Sequence, residues 1–345
     1  MYIDLRSDTV TKPTEEMRKA MYDAEVGDDV MRDDATVIKL EETAADMLGK
    51  EAALYVSSGT LGNQIAIQTL TRPGDEIILE QESHIYLYEG AGHAVYAGVS
   101  TNTLPGHRGA MNPEDVQKAI RTANIHHPRT GLICVENTHN KAGGTILPLD
   151  HLHAVSKIAK EHGVPIHMDG ARLFNAVVAS GHQATAFTQY VDTVQVCFSK
   201  GLGAPIGSIL AGSKETIEQA RYIRKRMGGG MRQVGVIAAP ALVALTKMVD
   251  RLAEDHANAK RFAAGLAEID GLQIDISAVE TNIVIVNVAG TGLSEEEFVS
   301  RLQEAGVLCG DFGPELVRFV THKDVTRAQI DEALLKVQRI VRGVA

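Results

Sequence analysis

Val164-Pro165-Ile166-His167-Met168-Asp169-Gly170-Ala171-Arg172 packs an apolar run, an acidic tip and a small-residue turn into nine positions. The run is short and apolar throughout, so it reads as a strand covered on both faces. Similar runs lie on either side of it. Ile77-Ile78-Leu79 and Leu132-Ile133-Cys134-Val135 precede it, and Val194-Gln195-Val196-Cys197-Phe198 and Ser208-Ile209-Leu210 follow. Helical spacing fills the gaps at Thr60–Thr71, Pro113–Thr122 and Leu149–His162. This alternation predicts an α/β domain built on a mostly parallel sheet.

Beyond Met231 the pattern changes. A long helical stretch, broken or kinked near Pro240, runs to about Ile269; a strand follows at Asn282–Val288, then a helix. Short strands are expected around Val307–Leu308 and Leu316–Val320, with a last helix from about Thr326 to Val341. Ser294 with Glu297, and Thr326 with Gln329, have the spacing that fixes a helix start. At roughly 100–200 residues per domain, 345 residues suggest two. The division expected is a large α/β domain over 26–245 and a small α+β domain over 246–345, with residues 1–25 packed onto them.

The 34 basic and 44 acidic side chains give a net charge of −10, where a nucleic-acid-binding chain usually carries a basic stripe. Fifteen Tyr and Phe with no Trp are also a poor set of stacking platforms. Cys134, Cys197 and Cys309 form no C-x-x-C pair, so buried thiols in a reducing compartment are expected rather than zinc or disulfides. The amino-terminal Met1-Tyr2-Ile3-Asp4-Leu5-Arg6 carries charges where a signal peptide needs an apolar core. The longest apolar run, Val234 to Leu245, is interrupted by Pro240 and falls short of the ~20 residues that span a bilayer. The expectation is a cytoplasmic protein with neither nucleic-acid nor membrane partners.

In open α/β sheets a ligand sits beyond the carboxyl ends of the strands, and several polar residues fall at such ends. Ser58-Gly59-Thr60 begins a helix, whose free N–H groups and positive dipole end suit a phosphate. Taken alone, simple capping by Ser58 and Thr60 is the stronger reading. Asp169 at a buried strand tip needs a partner to ionise, either Arg172 or a heteroaromatic N–H of a bound cofactor. Lys200, in Ser199-Lys200-Gly201-Leu202-Gly203, stands at another strand end among small residues and could act as a Schiff-base nucleophile. Gly201, Gly203 and Gly207 lack dinucleotide-fingerprint spacing. Gly228-Gly229-Gly230 either terminates a helix or lets the backbone approach another group closely. His151 and His153 face different ways on a helix and make a poor metal pair, and no ligand cluster of metal-binding spacing stands out.

The order of these signals is more specific than any one of them. A Ser-Gly-Thr helix start, His84, a strand-end Asp and a Ser-Lys about thirty residues later resemble a fold-type-I enzyme dependent on pyridoxal 5′-phosphate (PLP). Six segments are similar to low-specificity L-threonine aldolases: Asp4–Thr11, Val26–Asp29, Glu136–Asn140, His167–Arg172, Ser199–Gly203 and Gly228–Gln233. The resemblance extends to Arg318-Phe319-Val320-Thr321-His322. It implies retro-aldol cleavage of L-threonine or L-allo-threonine to glycine and acetaldehyde. Lys200 would hold PLP and Asp169 its pyridine nitrogen. Ser58, Gly59 and Thr60 would hold its phosphate, with Ser199 beside Lys200. His84 would stack on the ring and could take the hydroxyl proton, a task suited to a group titrating near neutrality. Ser7 and Arg318 would bind the substrate carboxylate, with Arg172 near it or near the phenolate oxygen. His126 would meet the β-hydroxyl, and Tyr88 matches the pocket aromatic.

Lys225 and Arg232 match basic residues that reach a neighbouring subunit's phosphate, which implies a homotetramer, a dimer of dimers with shared sites. One segment departs from the family pattern: Met31-Arg32 replaces a Tyr-Gly pair near the expected subunit contact. Rival readings on the same scaffold are a β-eliminating lyase or an aminotransferase, which have no particular use for His126. A non-catalytic PLP-binding protein would need neither Ser7 nor Arg318.

Overall fold

The computed structural model describes residues 2–343. Its centre is a seven-stranded sheet. In chain order the strands are β1 (Ala52–Val56), β2 (Glu76–Glu80), β3 (Ser100–Leu104), β4 (Thr130–Glu136), β5 (Ile166–Asp169), β6 (Thr193–Cys197) and β7 (Ser208–Gly212). In space they run β1-β7-β6-β5-β4-β2-β3, and β7 alone is antiparallel to its neighbours. The apolar runs in the sequence are therefore sheet strands with both faces buried. Tyr55, Ile78, Ile133 and Val135 enter one apolar cluster, while Leu54, Val56, Ile77, Leu79 and Leu132 enter clusters on the opposite face. The edge strand β3 escaped the sequence reading because Ser100-Thr101-Asn102-Thr103-Leu104 is polar and only half covered.

The helices begin and end where local chemistry dictates. Asp34 caps Ala35–Leu48 by accepting from Val37 N, and Ser58 caps Gly59–Leu70 by accepting from Leu61 N. Ser294 accepts from Glu297 N at the head of Glu295–Glu304. Thr326 and Gln329 form a reciprocal capping box before Arg327–Val341.

Pro240 does not break the helix in which it lies. Gly235–Lys247 runs through it, and the interruption comes at 248–251, before Leu252–Ala267. Ala238, Ala241 and Ala244 are fully buried on that helix, against Glu15–Asp23 and Ala35–Leu48. Such packing offsets the ~3 kcal/mol that an internal proline costs.

A second apolar cluster gathers Phe262, Val284, Val286, Phe298, Phe319 and Ile330 around the antiparallel strands Ile283–Asn287, Leu316–Val320 and Gly310–Asp311. The amino-terminal segment joins both parts. Ile3–Asp4 pairs in parallel with Val307–Leu308, and Glu15–Asp23 packs on the helix Gly235–Lys247.

Candidate active site

Because β1, β2, β4, β5 and β6 are parallel, their carboxyl ends deliver Ser58, His84, Glu136, Asp169 and Lys200 to one edge of the sheet. The adjoining cavity, about 590 Å³, is lined by Ser7, Thr9, His84, Tyr88, Asn140, Lys141, Arg172, Lys200, Phe312 and Arg318, among others.

On the sheet side Asp169 is buried, and its partners are neutral. Asn63 Nδ2 donates to Oδ2 at 2.9 Å and Ala171 N to Oδ1 at 3.0 Å. Gln195, with its carboxamide turned nitrogen inward, adds a donor at 3.0 Å. His84 Nδ1 lies 3.0 Å from Glu89 Oε1, and its ring faces Tyr88 at 5.5 Å between centroids. Burial alone would lower the His84 pKa, but the hydrogen bond to Glu89 and the charges of Asp169 and Glu89 raise it against the opposing Lys200. Glu136 accepts from His84 N at 2.6 Å and from Asn140 N at 2.8 Å. Burial, with Asp169 nearby, pushes its carboxyl up.

Arg172 pairs with Asp8 rather than with Asp169. Its Nε and Nη2 donate to the two oxygens of Asp8 at 2.8 and 2.7 Å. Both side chains are buried. Burial alone would raise the Asp8 carboxyl, but Arg172, supported by Lys200 and Asn282, holds it well below the usual range. Asp169 is thus left without a cation among the described residues. Arg318 Nη1 donates to Asn140 Oδ1 at 2.9 Å, and its guanidinium lies 4.8 Å from the Phe312 ring centroid. Burial and the neighbouring Arg172 push its pKa down to about 10. Lys141 stands 4.1 Å from the same centroid. Ser7 accepts from Thr9 N and lines the cavity.

The chain matches the beta-eliminating lyase family over residues 4–291. Low-specificity L-threonine aldolase 1 of Arabidopsis thaliana is 44% identical over 96% of this chain and 94% of its own. The low specificity L-threonine aldolase of Escherichia coli strain K12 is 41% identical over 96% of each. This chain belongs to the low-specificity L-threonine aldolase family. Solved structures place its fold among the fold-type-I enzymes. A Leishmania major threonine aldolase superposes with TM-score 0.84 at 19% identity, covering 98% of this chain and 99% of that one. A Sphingomonas wittichii serine palmitoyltransferase gives 0.78 at 20% identity, covering 99% of this chain and 88% of that one.

The residues of this family member fit PLP. Lys200 supplies an amine facing the cavity. Asp169 supplies a buried carboxylate held only by neutral donors, suited to a protonated ring nitrogen. The helix Gly59–Leu70 presents its N-terminus beside them, with Ser58 and Thr60 exposed. A Cβ at Gly59 would lie 2.8 Å from Cys197 Sγ, so only glycine lets this helix start sit so tightly against β6. The Ser58 hydroxyl is engaged in capping, as its local sequence suggested.

Three residues named by the resemblance lie elsewhere. His126 is exposed on the loop between Pro113–Ala119 and β4, its backbone N bonded to Asn124, and it does not line the cavity. Lys225 is exposed beside a separate groove near Asp29 and Tyr222. Arg232 is exposed and paired with Asp28 Oδ2 at 2.8 Å. Gly228 takes a positive φ of 80° and closes the helix Lys214–Arg226, with Gly229 N bonded to Arg224 O. Arg32, where the resemblance led us to expect a glycine, occupies a left-handed conformation with φ 61° that glycine adopts without strain. It spans 3.0 Å to Glu218 instead.

Among the polar residues of the site that drew no role from the sequence are Asp8, Asn63, Glu89, Glu136 and Asn140. Glu136 carried a legible signal, because it ends a buried strand as Asp169 does. Asn63 and Glu89 carried none, lying within a helix and a tight turn.

Proposed function

We propose that the chain cleaves the Cα–Cβ bond of β-hydroxy-α-amino acids, converting L-threonine and L-allo-threonine to glycine and acetaldehyde with PLP as cofactor. The observation that carries the reading is the meeting of Lys200 and His84 with Arg172 and Arg318 on one cavity. It joins an amine and a base to two guanidinium groups for a carboxylate. PLP, when bound, takes up the electron pair released as Cα–Cβ breaks.

Lys200 Nζ is the group that anchors the cofactor covalently, with Ser199 beside it. Asp169 holds the protonated pyridine nitrogen, and Ser58, Gly59 and Thr60 meet the phosphate at the helix start. Arg318 receives the substrate carboxylate in a bidentate geometry, with Ser7 beside it. Its face-on contact with Phe312 and its bond to Asn140 limit its freedom before substrate arrives. Arg172, locked by Asp8, would lie near the cofactor's phenolate oxygen or the substrate carboxylate. His84 takes the proton from the β-hydroxyl through the ring nitrogen not bonded to Glu89. Tyr88 bounds the pocket beside it.

The assembly we propose is a homotetramer, a dimer of dimers, in which Lys225 and Arg232 of one copy reach the phosphate site of another. His126 meets the β-hydroxyl in the assembled enzyme. We take residues 26–245 as the cofactor-binding domain and 246–345 as the smaller one, with 1–25 laid across both. Three buried unpaired cysteines support a place in the reducing cytoplasm.

The test is aldehyde release by the purified protein with PLP, given L-threonine and L-allo-threonine separately. Acetaldehyde is expected from at least one isomer. Its absence from both, with cofactor bound, would defeat the proposal.

A further inference from the structure

Glu89 is a carboxylate with no exposed side-chain surface, surrounded by N–H donors. Asn63 Nδ2 donates to its Oε1 at 2.8 Å and Gln64 Nε2 to its Oε2 at 2.5 Å, while His84 Nδ1 lies 3.0 Å from Oε1. The same Asn63 nitrogen donates to Asp169 Oδ2, and Asn63 Oδ1 faces His167 Nε2 at 3.0 Å. The Asn63 amide is therefore fixed from both ends. The backbone supports the arrangement: Gly90 and Ala91 follow Glu89 with φ of 59° and 56°. A left-handed alanine has an energetic cost and persists where surrounding contacts require it.

We propose that Glu89, aimed by Asn63 and Gln64, is the positioning residue that holds the His84 imidazole with Nδ1 as donor and Nε2 as the proton acceptor toward the cavity. An ionised carboxylate only accepts hydrogen bonds, so the Nδ1 facing Glu89 carries the hydrogen. Neutral His84 then has one free lone pair, on Nε2, and that is the atom left for the substrate hydroxyl. Through Asn63 the same chain of contacts sets the base relative to Asp169. This inference rests on the proposed function for the identity of the proton His84 takes.

The charged and titratable groups around His84 come from several elements. Glu89 and Tyr88 lie on its own segment, Asp169 ends β5, Lys200 follows β6, and Glu136 of β4 touches its backbone N–H. Of these, Glu89 alone bonds to the ring.

The test uses the holoenzyme of E89Q, with E89D as a second variant. Glutamine keeps the shape and one acceptor oxygen for Nδ1 while removing the charge. Gln64 Oε1 has no partner in its buried position and can accept from the new amide after a carboxamide turn. Two quantities are read: the titration of the His84 ring by histidine-selective NMR, assigned with H84Q, and the acid limb of kcat/KM for aldehyde release. A base works only when neutral, so kcat/KM falls as pH drops through the His84 pKa. Removing the charge that raises this pKa is expected to move both readouts about one pH unit lower. The plateau kcat is expected to fall about ten-fold, with KM close to the parent value. E89D retracts the carboxylate by one methylene, and a smaller shift in the same direction is expected. A shift in either variant supports the inference. An unchanged His84 titration in both would overturn it, even if activity fell. If the parent releases no aldehyde, the functional proposal fails, while the NMR titration still decides the role of Glu89.

Discussion

The strand-end cavity and the surface carrying His126, Lys225 and Arg232 are built differently, although the family resemblance assigns both to one active site. In the cavity Arg172, Asp169 and Arg318 each have a fixed partner from a distant part of the chain: Asp8 for Arg172, Asn63 for Asp169, Asn140 for Arg318. At the surface the three residues are exposed, and Arg232 has only an exposed-side ion pair with Asp28. One chain therefore brings together the residues that we propose hold the cofactor ring and the substrate carboxylate. Within a single copy these three surface residues do not line the cavity, and the proposed assembly would bring them to a neighbour's site.

Four substitutions would break or sharpen that contrast. Lys200→Ala should abolish aldehyde release and the visible absorbance of covalently held cofactor. Retained turnover would remove Lys200 from the centre of the site. Arg172→Met should cost about 3–5 kcal/mol in denaturant unfolding, because it strands Asp8 as an uncompensated buried charge. The parent's pair stabilises the fold fully above the ordinary Asp value of 3.8, and that contribution fades as pH falls through the depressed folded value. The variant should therefore lose less stability than the parent on acidification, and equal acid sensitivity would contradict the account.

Arg318→Lys should raise KM for threonine about ten-fold with a smaller change in kcat, since lysine cannot offer the planar fork. Lys225→Ala, on the exposed side, should leave unfolding stability within about 0.5 kcal/mol but weaken PLP retention. Retention equal to the parent would remove Lys225 from the proposed neighbour's phosphate site.

Much of the cavity was legible because strand ends are legible. The apolar runs ending at Asp169 and before Lys200 located both residues on one sheet edge without any contact information. Capping spacings likewise placed the starts of Glu295–Glu304 and Arg327–Val341. What was hidden depended on tertiary pairing. The sequence offered Arg172, three residues from Asp169, as its ionic partner, yet the fold gives Arg172 to Asp8, 164 positions away. Pro240 looked like a helix break, but burial of its neighbours outweighed the local preference. Asn63 and Glu89 had no local signature, because their role lies in facing each other and the residues at the strand ends.

A smaller effect concerns Arg32. Arg32→Gly relieves a left-handed arginine, worth roughly 1–2 kcal/mol, and gives up an exposed ion pair with Glu218 worth roughly 0–1 kcal/mol. A slightly raised melting temperature is expected. A lowered one would show that the Glu218 contact outweighs the backbone cost.

The most direct test of the account is the product balance from L-threonine or L-allo-threonine, whichever turns over, in the parent and in K200A. Glycine and acetaldehyde in equal amounts from the parent, and neither from K200A, is the predicted result. The corresponding 2-oxo acid with ammonia, or amino-group transfer without aldehyde, would contradict it and assign the same cavity to a different bond.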